Sequence, residues 1–217
     1  MTFVVLPGVY APQDDTALLA GSLHHEVLPP RAQVLDVGTG AGALALAAAV
    51  RGAHVTAVDI SRRAVWTARL NATLAGKRVR VLRGDLTAPV AGRTFDLIVT
   101  NPPYVPSPAL THPRRGLARA WDGGSDGRLI LDRICAEAPP LLRQGGVLLV
   151  VQSALSDEVR TLECLRSAGL TAIVTERRFV TFGPVLRSRQ PWLRQLGLLG
   201  PDGDKEELVV VRAERPH

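Results

Sequence analysis

The sequence predicts an α/β protein in which a doubly wound, seven-stranded, mostly parallel sheet ends in an antiparallel strand. Its 217 residues, 46% of them hydrophobic, match one domain with a sizeable core. From Gln33 onward, short β-rich apolar runs alternate with longer helical patterns, which is typical of a parallel sheet with helices on both faces. We therefore expect a single domain over residues 1–217, divided into an N-terminal segment (1–30) and an α/β core (31–217).

The predicted elements follow one another in a regular order. The apolar run from Gly42 to Val50 predicts a helix buried against the sheet, and Gly52 can end it. In the next helix, Ser61 is the expected N-cap and Gly76 the stop. The expected strands are Val34 to Val37, His54 to Asp59, Val79 to Gly84, Phe95 to Thr100, Val147 to Gln152, Thr171 to Phe182 and Glu207 to Arg212. The expected helices are Gly42 to Val50, Arg62 to Leu74, Asp126 to Ala138 and Asp157 to Ala168.

Two segments interrupt this alternation. Residues 102–124 follow a strand directly and are rich in Pro, Gly and Arg, and a loop this long in a compact domain is usually functional. The stretch from Gly183 to Lys205 is too short and too broken for a standard strand-helix-strand crossover. An antiparallel final strand is the simplest way to connect its two ends.

The bulk composition limits the possible functions. No apolar run approaches the ~20 residues that cross a bilayer, and the first residues resemble no secretory signal, so we expect a cytoplasmic protein. Cys135 and Cys164 have no close Cys or His partners, and no metal site is expected. The net charge of +6 would suit a nucleic-acid partner, but 24 of the 26 basic residues are arginine and they form no long run. Charge alone therefore identifies no partner.

A glycine turn between the first strand and the first core helix is the first candidate binding element. Gly38, Thr39, Gly40 and Gly42 let the backbone approach a ligand closely, and the helix N-terminus presents free N–H groups to it. The pattern also satisfies the dinucleotide fingerprint. Asp36, two residues before the first glycine, favours the cationic methionine end of S-adenosylmethionine, because a carboxylate there would repel a pyrophosphate.

Two more carboxylates end neighbouring strands. Asp59 can accept hydrogen bonds from both ribose hydroxyls, and Asp85 can accept from the adenine amino group. Their neighbours Ile60, Gly84 and Leu86 complete the predicted cofactor-binding set. Each aspartate could instead be an ordinary turn or capping residue. Three aspartates at successive strand ends on one sheet edge favour the binding interpretation.

The fourth strand runs into the turn Asn101-Pro102-Pro103-Tyr104, which is the predicted chemical centre. The prolines remove backbone donors and fix φ, so carbonyl oxygens of the turn stay free to accept. The side-chain oxygen of Asn101 and the carbonyl of Pro102 could hold both hydrogens of a planar NH₂ group. The nitrogen lone pair would then point at a methyl group, while Tyr104 could lie against the flat substrate. This pattern predicts methyl transfer to an amide or amine nitrogen.

These motifs together resemble the HemK-like family of class I S-adenosylmethionine-dependent methyltransferases, which have a Rossmann-like fold. The likeness covers about residues 8–152. It rests on Tyr10 to Leu19, Asp36 to Asp59, Phe95 to Tyr104 and Trp121 to Gly124. The best-known members methylate the glutamine of a Gly-Gly-Gln loop in translation release factors. The resemblance therefore implies protein glutamine methylation.

The resemblance also implies roles for residues outside the core motifs. The segment over residues 1–30 would cover the cofactor, with Asp15 and Thr16 in contact with it, although either residue could instead cap a helix. Tyr10 and Trp121 would border the substrate, although Trp121 could simply anchor its loop. Short eukaryotic members depend on a small activating partner, so a partner or a homodimer stays open. Bacterial members carry a separate N-terminal helical domain, and we expect this chain to be a short form without it.

Three other interpretations remain. An adenine N6-methyltransferase acting on RNA or DNA shares the Asn-Pro-Pro-Tyr geometry, and a small-molecule amine is a further possible acceptor. A cofactor-binding module without catalysis would have no need for Asn101 and Tyr104. An NAD-dependent oxidoreductase would satisfy the glycine turn but leave Asn101 to Tyr104 unexplained.

Overall fold

The computed structural model describes residues 3–109, 116–200 and 203–217 and contains one seven-stranded sheet with helices on both sides. The strands are β1 (Gln33–Val37), β2 (His54–Asp59), β3 (Val79–Arg83), β4 (Phe95–Thr100), β5 (Leu142–Ser153), β6 (Thr171–Thr181) and β7 (Lys205–Glu214). The helices are α1 (Asp14–His25), α2 (Ala43–Val50), α3 (Arg62–Leu74), α4 (Leu131–Glu137), α5 (Glu158–Ser167) and α6 (Pro184–Gln195). Within the described ranges, no helix is long and apolar enough to span a membrane.

The strands lie in the order β3-β2-β1-β4-β5-β7-β6. The pairs among β1 to β5 are parallel, whereas β7 runs antiparallel to both of its neighbours, β5 and β6. The predicted doubly wound sheet with an antiparallel last strand is therefore confirmed. The chain moves outward from β1 to β3 and then returns to β4, so the topological switch point lies between β1 and β4. Open sheets of this kind bind ligands at that point, outside the carboxyl ends of the strands.

Three predicted elements begin elsewhere in the structure, and the smallest difference is at β7, which starts at Lys205 instead of Glu207. β5 starts at Leu142 instead of Val147, and a register shift against β4 accommodates its first residues, so the glycine pair at 145–146 lies inside the strand. α4 starts at Leu131 instead of Asp126. Gly127 has a φ of 74°, which is incompatible with a helix, and the chain therefore stays irregular up to α4.

The segment between β6 and β7 contains a helix that the sequence pattern did not predict. α6 begins with Pro184 at its first turn and continues through Pro191. Its buried residues, Leu186 and Leu193, stand one heptad apart on one face, while most of the other residues are exposed. The antiparallel strand arrangement is retained, because α6 does not serve as a crossover between parallel strands.

The position of α1 determines how the N-terminal segment reaches the sheet. Its buried residues Leu18, Leu19 and Leu23 belong to the main hydrophobic core, and the helix packs against α2, β5 and β6. Gln13 is the N-cap residue, so the alternative interpretation of Asp15 or Thr16 as the helix cap is wrong. Both residues lie in the first turn of α1, directed toward the end of β4 where Asn101 follows.

Candidate active site

A cleft opens at the carboxyl edge of the sheet, at the switch point between β1 and β4. It encloses about 1090 Å³ of space, open solvent included. Its wall contains most of the residues that the sequence predicted to bind cofactor or substrate: Tyr10, Thr16, Gly38, Thr39, Gly40, Asp59, Ile60, Gly84, Asp85, Leu86, Asn101 and Pro103. The remaining predicted residues, which do not form its wall, are Asp15, Asp36, Gly42, Pro102, Tyr104 and Trp121. Separate stretches of the chain thus meet in one place.

The glycine turn is fixed by the end of β2. The backbone N–H groups of Gly38 and Thr39 both donate to the Val58 carbonyl, at 2.9 and 3.0 Å. Gly38 and Gly40 have φ values of 74° and 54°, which residues with a side chain rarely adopt. The N–H of Gly40 donates to the Oδ2 atom of Asp59 at 2.9 Å. The Asp59 carboxylate, from the neighbouring strand β2, therefore lies against the backbone of the glycine turn.

Asp59, on the wall of the cleft, is held by backbone hydrogen bonds to both of its carboxylate oxygens. Its Oδ1 atom accepts from the Ser61 N–H at 2.8 Å, so each oxygen has one backbone donor and a further lone pair. Burial raises the pKa of Asp59 above its ordinary value, while these backbone hydrogen bonds and the charge of Arg119 lower it. The group can accept further hydrogen bonds from a ligand.

Asp36 lies behind the wall of the cleft. The carboxylate is 1% exposed, and its Oδ2 atom accepts from the Thr39 hydroxyl at 2.6 Å and from the Ala45 N–H at 2.9 Å. Its Oδ1 atom is buried without a hydrogen-bond partner among the described residues. Burial raises the pKa of Asp36 to about 7. Asp36 therefore supports the turn from below and acts on a ligand only through space.

Asp85 differs from the other two aspartates because it is about half exposed. Arg133 of α4 donates to both of its oxygens, at 3.3 and 3.0 Å, and the same guanidinium bonds to Glu137. The hydrogen bond that Arg133 donates to Asp85 is the main cause that raises the pKa of Arg133. Asp85 thus lines the cleft but already has a cationic partner.

The Asn101-to-Tyr104 turn is bonded to the first turn of α1. The Nδ2 group of Asn101 donates to the Thr16 hydroxyl at 3.2 Å, and the Tyr104 hydroxyl donates to Oδ2 of Asp15 at 3.1 Å. Tyr10 donates to the same oxygen at 2.9 Å. Burial, followed by the negative charge of Asp15, raises the pKa of both tyrosines far above the ordinary value, so both hydroxyls keep their protons. Tyr104 is thereby buried behind the wall.

The carbonyl groups of this turn divide into two kinds. The Tyr104 carbonyl accepts from the Ser156 hydroxyl at 2.5 Å, and Gly127 allows this approach, because an added Cβ would stand 2.3 Å from that oxygen. By contrast, no hydrogen bond from a described residue ends on the Pro102 carbonyl or on Oδ1 of Asn101. Asn101 lines the cleft, whereas Pro102 is buried behind its wall.

The loop after β4 is anchored by its own backbone and by α6. The Val105 N–H donates to the Trp121 carbonyl at 2.8 Å, and the Val105 carbonyl accepts from Gly123 at 3.0 Å. Arg189 of α6 forms a buried ion pair with Asp122 at 3.2 Å. The Trp121 side chain is partly buried and packs against the main core. Backbone hydrogen bonds and the ion pair therefore hold the described part of the loop in a defined conformation.

The sequence did not indicate several residues of the cleft. They come from the loop after β4 and comprise Gly116, Arg119 and Ala120, whereas Gly8, Val9 and Pro12 lie in the N-terminal segment that was expected to cover the cofactor. Arg119 brings a positive charge close to Asp59. No local pattern marks it, because a short 3₁₀ turn over Leu117–Ala120 carries it back to the cleft. In the part of the chain that is described, no cluster of metal-ligating residues is present.

Comparison with known proteins identifies related methyltransferases. The model of the methyltransferase small domain matches residues 1–112. A Methanocaldococcus jannaschii protein, whose name assigns it provisionally to the protein N5-glutamine methyltransferases, is 38% identical over 81% of this chain and 88% of its own length. Release factor glutamine methyltransferases of Geobacter sulfurreducens and Mycolicibacterium smegmatis are also 38% identical, over 69% and 87% of this chain. The chain spans 55% and 72% of those two relatives.

Solved structures show the same fold. The Encephalitozoon cuniculi Mtq2–Trm112 complex, described as responsible for methylation of the termination factor eRF1, matches with a TM-score of 0.66 and 22% identity over 96% of this chain and 99% of that one. A Thermus thermophilus 16S rRNA guanine methyltransferase, solved with AdoMet and guanosine, has a TM-score of 0.64 and 22% identity over 98% of this chain and 47% of that one. The chain belongs to the methyltransferase small-domain family and, within it, to the HemK-like S-adenosylmethionine-dependent N-methyltransferases.

Proposed function

We propose that this protein transfers a methyl group from S-adenosylmethionine to the side-chain amide nitrogen of a glutamine in a protein, with a translation release factor as the first candidate. One observation carries the proposal. Asn101 lines the cleft beside the glycine turn and Asp59, and no described donor reaches its Oδ1 atom or the carbonyl of Pro102, the next residue of the same turn, which is buried behind the wall. A primary amide has two N–H donors in one plane and matches two such acceptors.

The described residues fit S-adenosylmethionine. Asp59 retains lone pairs for the ribose hydroxyls, and the positive-φ turn at Gly38 and Gly40 leaves room for a ligand against the backbone. Ile60 and Leu86 provide apolar wall for the adenine ring, with Asp85 beside them. When bound, the cofactor supplies an electrophilic methyl group on a sulfonium. Burial raises the pKa of Asp36 to about 7, so a cationic ligand favours its ionised form and an anionic ligand opposes it.

The contribution of the protein to the reaction is alignment. Asn101 and Pro102 hold the two amide hydrogens, which turns the nitrogen lone pair toward the methyl donor. The prolines hold the turn rigid, and Tyr104 ties it to α1, so little orientational freedom remains to be lost. No general base is needed before transfer, because the nitrogen becomes acidic only once it carries the new bond. Both tyrosine hydroxyls near the site stay protonated and serve as structural donors.

The names of the relatives support the choice of acceptor. The archaeal and bacterial relatives are named for glutamine methylation, and the structural neighbour Mtq2 was solved with Trm112. We expect the protein to act in the cytoplasm, where release factors work. A small activating partner or a homodimer stays open, so the assay includes a cell extract of the source organism as a supplement.

The test is methyl transfer with deuterated-methyl S-adenosylmethionine to purified release factors, followed by peptide mass spectrometry. We expect the label on the glutamine of the Gly-Gly-Gln loop and on no other residue. The matched substrate control replaces that glutamine with alanine and should remain unlabelled. The matched enzyme control, Asn101→Ala, should lose roughly two to three orders of magnitude in rate, as an enzyme does when a key orienting contact is removed.

A second arm separates the other acceptor classes. Ribosomal RNA, tRNA and DNA are offered with the same cofactor, and the products are treated with protease or nuclease. The net charge of +6 makes binding to polyanions expected, so binding alone decides nothing and only covalent label counts. Label that survives protease and is released by nuclease would contradict the proposal and favour adenine methylation.

A further inference from the structure

The hydroxyl of Thr16 stands between the carboxylate of Asp15 and the amide of Asn101. Its oxygen lies 3.1 Å from Oδ1 of Asp15 and 3.2 Å from Nδ2 of Asn101. A hydroxyl has one hydrogen to donate and two lone pairs to accept with. A carboxylate oxygen can only accept, and Oδ1 of Asp15 already accepts from the Thr16 backbone N–H, so the Thr16 hydroxyl hydrogen points to Asp15. The Thr16 oxygen must then accept from Asn101, and the chain of hydrogen bonds has one direction.

This direction determines the orientation of the Asn101 amide. The oxygen and nitrogen of a side-chain amide have nearly the same shape, so packing alone does not distinguish the two orientations. A donor in place of the Thr16 lone pair would attract Oδ1 and leave the NH₂ group facing the substrate. With Nδ2 held by Thr16, Oδ1 remains on the wall of the cleft without a described donor. Only this orientation can accept a hydrogen from an acceptor amide.

We infer that Thr16, itself held by Asp15, is a positioning residue that sets the Asn101 amide in the orientation that accepts the substrate N–H. The effect of this orientation on methyl transfer rests on the proposed function. The orientation of the Asn101 amide itself does not depend on which molecule is methylated. It assigns to Thr16 a contact within the protein, whereas the family resemblance implied a contact with the cofactor. Removal of the Thr16 hydroxyl would lower kcat if Thr16 positions Asn101, and it would weaken cofactor binding if Thr16 contacts the cofactor.

Asp15 is suited to hold this arrangement. The side chain is 3% exposed and accepts from the Thr16 backbone N–H at 2.5 Å as well as from its hydroxyl. Its second oxygen accepts from Tyr10 and Tyr104. Both ends of the Asn101-to-Tyr104 turn are therefore bonded to the Asp15 carboxylate, Tyr104 directly and Asn101 through the Thr16 hydroxyl. A buried network in which every member is satisfied fixes orientation well.

The composition of the chain allows a direct measurement of this orientation. The sequence contains two asparagines, Asn71 and Asn101, so selective ¹⁵N labelling of asparagine gives two side-chain NH₂ signals. Asn71 is an internal control, because its Nδ2 donates to the carbonyls of Val4 and Ala41, both at 2.9 Å. Asn101→Ala assigns the signals by removing one pair. The spectra are recorded for wild type, Thr16→Val and Thr16→Ser, with and without S-adenosylmethionine.

We expect Thr16→Val, which keeps the shape of Thr16 but removes the hydroxyl, to shift the Asn101 NH₂ pair and to accelerate its hydrogen exchange. The Asn71 pair should stay unchanged, which also shows that the variant is folded. Thr16→Ser, which keeps the hydroxyl, should retain the wild-type Asn101 signals. An Asn101 pair that is identical in wild type and Thr16→Val would overturn the inference, whatever the acceptor of the enzyme is.

Kinetics supply the second readout. For Thr16→Val we expect kcat for methyl transfer to fall about tenfold, because one hydrogen bond that orients Asn101 is lost. The Kd for S-adenosylmethionine should change less than about twofold. Thr16→Ser should recover kcat. A Kd that weakens as much as kcat falls would instead make Thr16 a cofactor ligand and overturn the inference. If wild type labels no release factor, the proposed function fails, and the asparagine spectra still decide the orientation.

Discussion

Glu206, at the start of β7, is a buried carboxyl group that no described cation neutralises. It is 8% exposed, and its Oε1 atom has no hydrogen-bond partner among the residues with described positions. Burial raises the pKa of Glu206 to about 7, and the charge of Asp15 acts in the same direction, whereas a hydrogen bond from Ser153 opposes it. The network that orients the active-site turn therefore has a proton-binding neighbour.

The raised pKa predicts a loss of stability as pH rises. The ordinary value is 4.5, so between that pH and about 7 the folded state keeps a proton that the unfolded state has released. The contribution to stability is complete below the unfolded pKa and is lost as pH passes the folded pKa. From about pH 5 to about pH 8, we expect the loss due to Glu206 to amount to roughly 3 kcal/mol.

Urea unfolding of wild type and Glu206→Gln at both pH values measures this loss. Glutamine has the same size and no charge, so the variant should lose less free energy of unfolding than wild type over the same interval. Asp36 titrates in the same window in both proteins, and the difference between the two curves isolates Glu206. Parallel curves would contradict the prediction.

Among the elements, α6 has a role that its sequence conceals. Arg189 stands between Leu186 and Leu193 on the buried face of the helix, three and four residues away from them. It donates to the Pro106 carbonyl at 2.6 Å and to the carboxylate of Asp122 at 3.2 Å. The helix thus supports the loop that follows Asn101. An arginine at a core-facing position and a proline within the helix hide the usual amphipathic pattern.

We expect Arg189→Ala to destabilise the protein by roughly 2 kcal/mol, somewhat below the usual cost of breaking a buried ion pair, because Arg189 is not fully buried. Methyl transfer should fall as well, since the loop carries part of the cleft wall. Arg187→Ala is the matched control, because Arg187 is exposed on the same helix. It should change stability by less than about 0.5 kcal/mol. Equal effects of the two variants would show that α6 acts only by its apolar contacts.

The elements that the sequence predicted well are those with strong local signals. The four parallel strands β1 to β4 begin and end within one residue of their predicted bounds, because apolar runs and glycine or aspartate ends define them. β5 begins earlier than predicted, since its first residues pair through a register shift that only the neighbouring strand determines. α6 was missed for the reasons given above. β6 was also predicted to within one residue, so local pattern predicted most strand bounds and failed where pairing with a neighbouring strand sets the end.

The active site shows the same limit at the scale of the molecule. Chain order placed Gly38, Asp59 and Asn101 at one edge of the sheet, because parallel strands end on the same side. The contact between Asn101 and Thr16 joins residues 85 positions apart, and the contribution of Arg119 depends on a loop that folds back. Such contacts arise from tertiary packing and leave no trace in residue spacing. The sequence therefore predicted which residues gather at the carboxyl edge of the sheet, but it did not predict the contacts from Thr16 and Arg119 that hold or neighbour them.

The charge distribution of the whole molecule predicts ligand selectivity. The chain carries a net charge of +6, yet three carboxylates, Asp36, Asp59 and Asp85, end successive strands at the cofactor edge. Arg133 neutralises Asp85 and burial raises the pKa of Asp36 to about 7, so the selecting charge is mainly that of Asp59, which favours a sulfonium and opposes the pyrophosphate of a dinucleotide, although the glycine turn alone would suit both. A ligand that binds only the folded state raises its stability by mass action.

At a concentration 100 times its Kd, S-adenosylmethionine should stabilise the fold by roughly 2.7 kcal/mol and raise Tm by roughly 5–10 °C for a chain of this size. NAD at the same concentration should leave Tm unchanged, and thermal unfolding of the two mixtures measures the difference. Asp59→Ala, which removes the carboxylate that meets the glycine turn, should lose most of the shift. A rise with NAD equal to that with S-adenosylmethionine would mean that the carboxylate edge does not select the ligand, because the glycine turn alone would then decide binding.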